Sequence, residues 1–200
     1  MIKKQVYPKT SRVRLKEYIT ITEKLDGSNL CIAKLNGELL ICQRKYIFKL
    51  DEVEEYKKQL YKGLYQWIID HGAYLQEHLR ENAVICGEWL GMGRLKYNFD
   101  NRFFMFAKAN IDEQLELYNI YHDHELFIYP FDDCVIPDFI SLVPVVTEEG
   151  HSDINYLNEL YYSYRVKECR DVEGFVLNYG QGNIKKYVRM KNGKLEEHRE

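Results

Sequence analysis

The 200-residue chain lacks any apolar stretch long enough to cross a bilayer. Its longest runs without a charge, such as Phe139 to Thr147, fall far short of the roughly 20 residues a spanning helix needs. The opening residues Met1-Ile2-Lys3-Lys4-Gln5 lack the apolar segment of a secretory signal. There is no Cys-x-x-Cys pair, and the five cysteines (Cys31, Cys42, Cys86, Cys134, Cys169) are an odd number. That argues against a disulfide framework or a zinc site and for a reducing, cytoplasmic setting. No large charge excess exists either. The 28 Lys plus Arg and 31 Asp plus Glu leave a net charge of −3, which excludes a uniformly basic nucleic-acid coat. Repeats, low-complexity segments and Pro-rich linkers are absent as well. What is present is an apolar fraction of 46%, with 17 Tyr and 9 Phe, which excludes a disordered chain. A chain of this length buries a core without staples. One domain over residues 1–200 is the simplest expectation.

The charge is unevenly spread. Residues 1–16 carry six bases and no acid, and residues 185–194 carry five bases and no acid. Residues 111–160 carry twelve acids and neither Lys nor Arg. A phosphate-bearing partner should meet the two ends of the chain and avoid the middle, unless these runs are simply solvated faces.

The local patterns predict a mixed fold. Ile19-Thr20-Ile21-Thr22 is β-branched and reads as a strand. Leu30 to Leu35 and Glu38 to Arg44 read as a hairpin around Asn36-Gly37. Apolar positions from Val53 to Ile68 predict a helix over 51–81 with a break near Gly72. Ala83 to Trp89 and Phe103 to Ile111 read as buried strands. Ser152 or Asp153 should cap a helix with the stripe Ile154, Leu157, Leu160, Tyr161, Tyr164. Val172 to Asn178 and Ile184 to Met190 should form a last hairpin. Strands and helices come in clusters, so the expected class is α+β with mostly antiparallel sheets.

Four segments carry candidate chemistry. Glu23-Lys24-Leu25-Asp26-Gly27-Ser28-Asn29 puts a lysine at the end of a strand before a tight Asp-Gly turn. Ile85-Cys86-Gly87-Glu88-Trp89 ends a strand with a carboxylate. Phe103-Phe104-Met105-Phe106-Ala107 is an aromatic strand. Val172-Glu173-Gly174-Phe175-Val176-Leu177 carries a second carboxylate and precedes a lysine-rich strand from Lys185.

This ordered set resembles the covalent nucleotidyltransferase superfamily of ATP-dependent DNA ligases, RNA ligases and capping guanylyltransferases. It is most similar to the phage-type RNA ligases, from about Thr22 to Lys191. The resemblance implies a nucleotidyltransferase domain in which Lys24 takes AMP from ATP. AMP then passes to an RNA 5′-phosphate, and a 3′-hydroxyl displaces it. It implies ATP and Mg²⁺ (or Mn²⁺) as cofactors. RNA ends, or a nicked duplex, are the implied partners. The alternatives are a GTP-dependent capping-type enzyme and an inactive nucleic-acid-binding relic of the fold. DNA ligases and capping enzymes usually continue into an OB-fold domain. None is expected here unless an accessory chain supplies it.

The same resemblance assigns roles. Lys24 is the nucleophile; Asp26 and Asn29 resemble residues that hold the ribose and act in later steps. Glu23 would sit beside the adenine edge. Arg44 matches an arginine placed on phosphate or ribose. Glu88 and Glu173 match carboxylates that hold ribose or metal. Phe106 would stack on adenine, or Phe104, two residues away on the same face. Family members usually end in a Lys-x-Lys strand that reaches the α-phosphate. Here Lys186 is followed by Tyr187-Val188, so the second lysine is missing. Arg189 or Lys191 would substitute, or the two together form the pair.

The chemistry sets its own demand. An attacking amine must be neutral, whereas a free lysine, with a pKa of about 10.4, is about one part in a thousand neutral near pH 7.4. Lowering that value by about 3 requires about 4 kcal/mol of destabilisation of the ammonium. Desolvation and a nearby cation, Lys186 or Mg²⁺, can supply it, while a facing carboxylate opposes it.

Overall fold

The computed structural model describes residues 11–12, 18–180, 182–191 and 194–195, with residues 11, 12, 18, 191, 194 and 195 given by backbone alone. The described elements run in order β1 (Ser11–Arg12), β2 (Tyr18–Lys24), β3 (Ser28–Leu35), β4 (Glu38–Gln43), β5 (Ile47–Lys49), α1 (Leu64–His78), β6 (Ala83–Trp89), β7 (Phe103–Ile111) and β8 (Leu117–Tyr121). Then come β9 (Ser141–Leu142), β10 (Val145–His151), α2 (Ile154–Glu168), β11 (Gly174–Asn178), β12 (Ile184–Val188), β13 (Met190–Lys191) and β14 (Lys194–Leu195). Most pairings are antiparallel, so the fold is α+β as the patterns predicted. No helix among the described residues is long and apolar enough to cross a membrane.

Two compact units divide the chain. The larger draws on Gly27–Met92 and Asn98–Leu142. Its sheet has the order β5-β4-β3-β6-β7-β8, with β9 added beside β7. Alternation along the strands sends Leu30, Ile32, Ile41, Ile85, Trp89, Phe103 and Met105 to one face. There they pack with Leu64, Ile68 and Leu75 of α1. The predicted helix over 51–81 is corrected. Only a 3₁₀ turn at Leu50–Glu52 and α1 itself form, because Gly63 takes a left-handed φ of 81° and interrupts the path. Gly72 does not break α1. Its missing side chain makes room for Leu50, whose Cδ1 would lie 2.7 Å from a Cβ at that position.

The second unit draws on the described residues within Lys9–Asp26, Gly93–Tyr97 and Val143–Glu200. Its sheet has the order β1-β12-β11-β2-β10. Ile19 and Ile21 of β2, Phe175 and Leu177 of β11 and Tyr187 of β12 face α2, meeting Leu157, Tyr161 and Tyr164. The Asp153 carboxylate caps α2 by accepting from the N–H groups of Asn155 (3.0 Å) and Tyr156 (3.2 Å). The predicted stripe holds at Leu157, Tyr161 and Tyr164, while Ile154 is exposed. Strand alternation then leaves Thr20, Thr22, Lys24, Val176, Lys186 and Val188 on the sheet face away from α2.

Candidate active site

The smaller unit holds the lysine. Register places Lys24 of β2 opposite Gly174 of β11, and Gly174 opposite Val188 of β12. Gly174 is required there. At its φ of 155°, a Cβ would overlap the Tyr187 carbonyl oxygen and lie 2.9 Å from Val188 Cα. The glycine lets β12 close against β11, and the residue before it, Glu173, reaches Lys24. Gly174→Ala is expected to cost about 1–3 kcal/mol through overpacking, lowering the Tm by roughly 2–12 °C in a thermal melt. An unchanged melt would contradict that close approach.

Lys24 Nζ lies 2.6 Å from Glu173 Oε2, with the two side chains 24% and 18% exposed. Burial pushes the Glu173 carboxyl above its ordinary range. The Lys24 ammonium opposes that rise, Asp26 adds to it, and Lys186 opposes it. Lys186, on the same face and paired with Val176, thus acts electrostatically on Glu173. Val188, where the family resemblance expects the second lysine, pairs with Gly174.

Two further assigned residues of this unit make their contacts on the α2 side of the sheet. The Glu23 carboxylate, assigned to the adenine edge, lies on the α2 side of the sheet. Its side chain is 0% exposed and held by Arg170 and Tyr164. Arg189 does not reach Lys24's face. Its guanidinium bonds Asn158 and the Tyr162 hydroxyl and lies over the Tyr161 and Tyr162 rings. The strand ends at Val188, and Arg189 turns back toward α2, its N–H donating to the Glu173 carbonyl at 2.9 Å. The Lys191 side chain lies outside the described residues. Asp26 Oδ2 accepts from the backbone N–H groups of Arg94 (2.6 Å) and Leu95 (2.9 Å).

In the larger unit, β3 and β6 place Asn29 opposite Glu88, and Glu88 pairs in turn with Phe104 of β7. Arg44, just past β4, is exposed. Phe106 sits where the β6–β7 register slips by one residue. Its carbonyl lies 3.0 Å from His122 Nδ1, and its ring is near-parallel to the His122 ring at 6.4 Å. Phe104 is buried against Phe99 at 4.9 Å. Sequence reasoning missed Tyr61. Its hydroxyl donates to the Asn29 carbonyl at 3.2 Å and accepts the Arg44 N–H at 3.1 Å. Burial raises its pKa, the Glu88 charge adds to that, and Arg44 offsets it. Tyr61 therefore lies among three of the assigned residues. Gln43 fixes it there by accepting the Tyr61 N–H at 2.6 Å and donating to the Gln59 carbonyl at 3.0 Å.

Comparison with protein families matches residues 17–191 to the RNA ligase family. A comparison with curated proteins found no match. Among solved structures, one described as "Archaeal ATP-dependent RNA ligase - form 1" is similar at TM-score 0.54 and 15% identity, over 92% of this chain and 48% of that one. A second, a lysine-to-alanine mutant of a Naegleria gruberi RNA ligase with ATP and Mn, is similar at TM-score 0.52 and 14% identity, over 92% of this chain and 56% of that one. The chain thus spans about half the length of each.

Proposed function

Because the chain belongs to the RNA ligase family, we propose that it is an ATP-dependent RNA ligase that works through a lysyl-AMP intermediate on Lys24. The carrying observation is the Lys24–Glu173 pair at 2.6 Å, formed by the two motifs that the family resemblance singled out. In the first step Lys24 Nζ bonds to the α-phosphorus of ATP, the bond to the bridging oxygen breaks, and pyrophosphate leaves. The amine must first lose a proton. Glu173 Oε2 is at hand to take it, and burial makes that carboxylate a better base than a free one. AMP then moves to an RNA 5′-phosphate, and a 3′-hydroxyl displaces it. Lys186, on Lys24's face, neutralises charge on the α-phosphate. Asp26 remains assigned to the ribose and the later steps through its other carboxylate oxygen.

The donor set suits a hard cation only in part. Each unit offers one carboxylate for Mg²⁺ or Mn²⁺, Glu173 and Glu88. Among the described residues no three His, Cys, Asp or Glu gather to hold a metal. That fits an ion held by one protein carboxylate and completed by nucleotide phosphates and water. When bound, the metal supplies charge neutralisation for the leaving pyrophosphate. Asn29 and Arg44, near Tyr61, are assigned to ribose and phosphate, and Phe106 to the base. RNA is proposed to meet the basic runs 1–16 and 185–194, the first of which lies mostly outside the described residues.

The test is incubation with each α-labelled NTP and Mg²⁺ or Mn²⁺, followed by ligation of matched RNA and DNA strands. Acid-labile label from ATP alone, with RNA sealing, is expected. Label from GTP alone would instead make the chain a capping-type enzyme. No label from any nucleotide would make it a binding relic.

A further inference from the structure

Lysine is a flexible four-carbon stem, so the place of its amine depends on how firmly the backbone on both sides is held. Upstream of Lys24, the buried Glu23 carboxylate accepts from Arg170 Nη1 and Nη2 at 2.6 Å each and from the Tyr164 hydroxyl at 2.9 Å. Downstream, the Asp26 N–H donates to the Tyr97 hydroxyl at 2.7 Å. The two sides are joined. The Arg170 guanidinium lies over the Tyr97 ring, 5.3 Å from its centroid. The contacts close a circuit from Glu23 through Arg170 and Tyr97 to Asp26, and back along the chain through Leu25 and Lys24.

The segment carrying Tyr97 is itself pressed onto the turn. A Cβ at Gly93 would overlap the Asp26 carbonyl oxygen, and the next two N–H groups grip the Asp26 carboxylate. Stability alone is a weak reason for this arrangement, since well-packed apolar residues often match or exceed a buried ion pair. Geometry is a better one. A bidentate fork fixes Glu23 in direction as well as distance, and the guanidinium over the Tyr97 ring ties the two sides together.

We infer that Tyr97 and Arg170 are positioning residues that hold the Glu23–Asp26 segment so that the Lys24 amine is aimed for attack. The inference rests on the ligase reading above. Neither residue need touch the nucleotide. Their effect should fall on the rate at saturating ATP and not on ATP affinity.

Two conservative variants separate positioning from folding. Tyr97→Phe keeps the ring under Arg170 and removes only the oxygen that accepts the Asp26 N–H. Arg170→Lys keeps the charge beside Glu23 and removes the fork. Single-turnover formation of lysyl-AMP at saturating ATP should fall about 10-fold for Tyr97→Phe and up to about 100-fold for Arg170→Lys, as misplacement on the ångström scale does. The KM for ATP should stay within about 2-fold of the parent. Peptide-level hydrogen exchange, read without nucleotide, should quicken at Asp26 in Tyr97→Phe while Leu177, in the same sheet, keeps its parental rate. Parental rates in folded variants would overturn the inference. So would a loss confined to KM, which would make the two residues nucleotide-binding groups. Should the parent take no label from any nucleotide, the ligase reading fails, and exchange alone judges the clamp. Faster exchange at Asp26 then supports it, and unchanged exchange overturns it.

Discussion

Lys24→Ala is expected to take no AMP from ATP, a loss of at least about 10³-fold in labelling, because no other group supplies the bond-forming nitrogen. The parent should carry one AMP through a bond that acid breaks and mild base spares, as a P–N bond behaves. The same variant should still seal RNA that already bears AMP on its 5′-phosphate, since that step does not use the amine. The pair of outcomes matters more than either alone. Loss of both activities would indicate a damaged fold, and a variant that labels like the parent would move the nucleophile elsewhere. A pH series provides the folding control. Removing Lys24 leaves the Glu173 carboxylate, 18% exposed, without the ammonium that now opposes its raised pKa. The destabilisation of Lys24→Ala should therefore be small where Glu173 is protonated in both proteins and grow toward neutral pH. Labelling and denaturant unfolding at acid and neutral pH check both halves.

Much of this was legible along the chain, and the boundary of legibility is physical. The β-branched run Ile19 to Thr22 marks β2, and Asn36-Gly37 marks the β3–β4 turn, because side-chain branching and turn chemistry are local properties. The order of Lys24, Glu88 and Glu173 pointed to one chemistry, although Lys24 and Glu173 are 149 positions apart. What could not be read was direction. Whether Glu23 faces its neighbour's ligand or the helix depends on the pleat and on Arg170, 147 positions away. Arg189 reads from the sequence as a phosphate ligand, whereas the strand ends one residue earlier and its guanidinium bonds Asn158 and Tyr162. Tyr61 was hidden by a wrong period. The apolar positions from Val53 to Ile68 mimic a helix, yet Gly63 interrupts it, and Tyr61 sits in the turns before α1. A glycine inside the apolar stripe, just before Leu64, was the available signal. β8 and β10 carry mixed burial and gave no clean alternation.

Glu173→Gln should separate activity from stability in opposite directions. The amide keeps the shape and can still accept from Lys24, but it can neither take the proton nor offer a full charge to a cation. Labelling of Lys24 should drop by about 10²–10³-fold, the usual loss when one key electrostatic group is removed from a site. Folding should not suffer in step. Burial is the largest influence on Glu173, and it raises the carboxyl pKa despite Lys24. Such a group costs stability once it ionises in the folded state. Below the ordinary value of 4.5 the carboxyl is protonated in the folded and unfolded chain alike, and the parent carries no penalty. As pH rises from there through the raised folded value, the unfolded chain gives up its proton first and the parent loses stability. Glutamine has no proton to lose. The stability of Glu173→Gln relative to the parent should therefore increase across that window and level off above it. Urea unfolding of both proteins from about pH 4 to pH 8, without nucleotide, measures this. Labelling within about 10-fold of the parent would remove Glu173 from the chemistry. A stability difference that shrinks as pH rises would show that the ion pair, not burial, governs the carboxylate, and that the site is held together by the attraction the reaction must overcome.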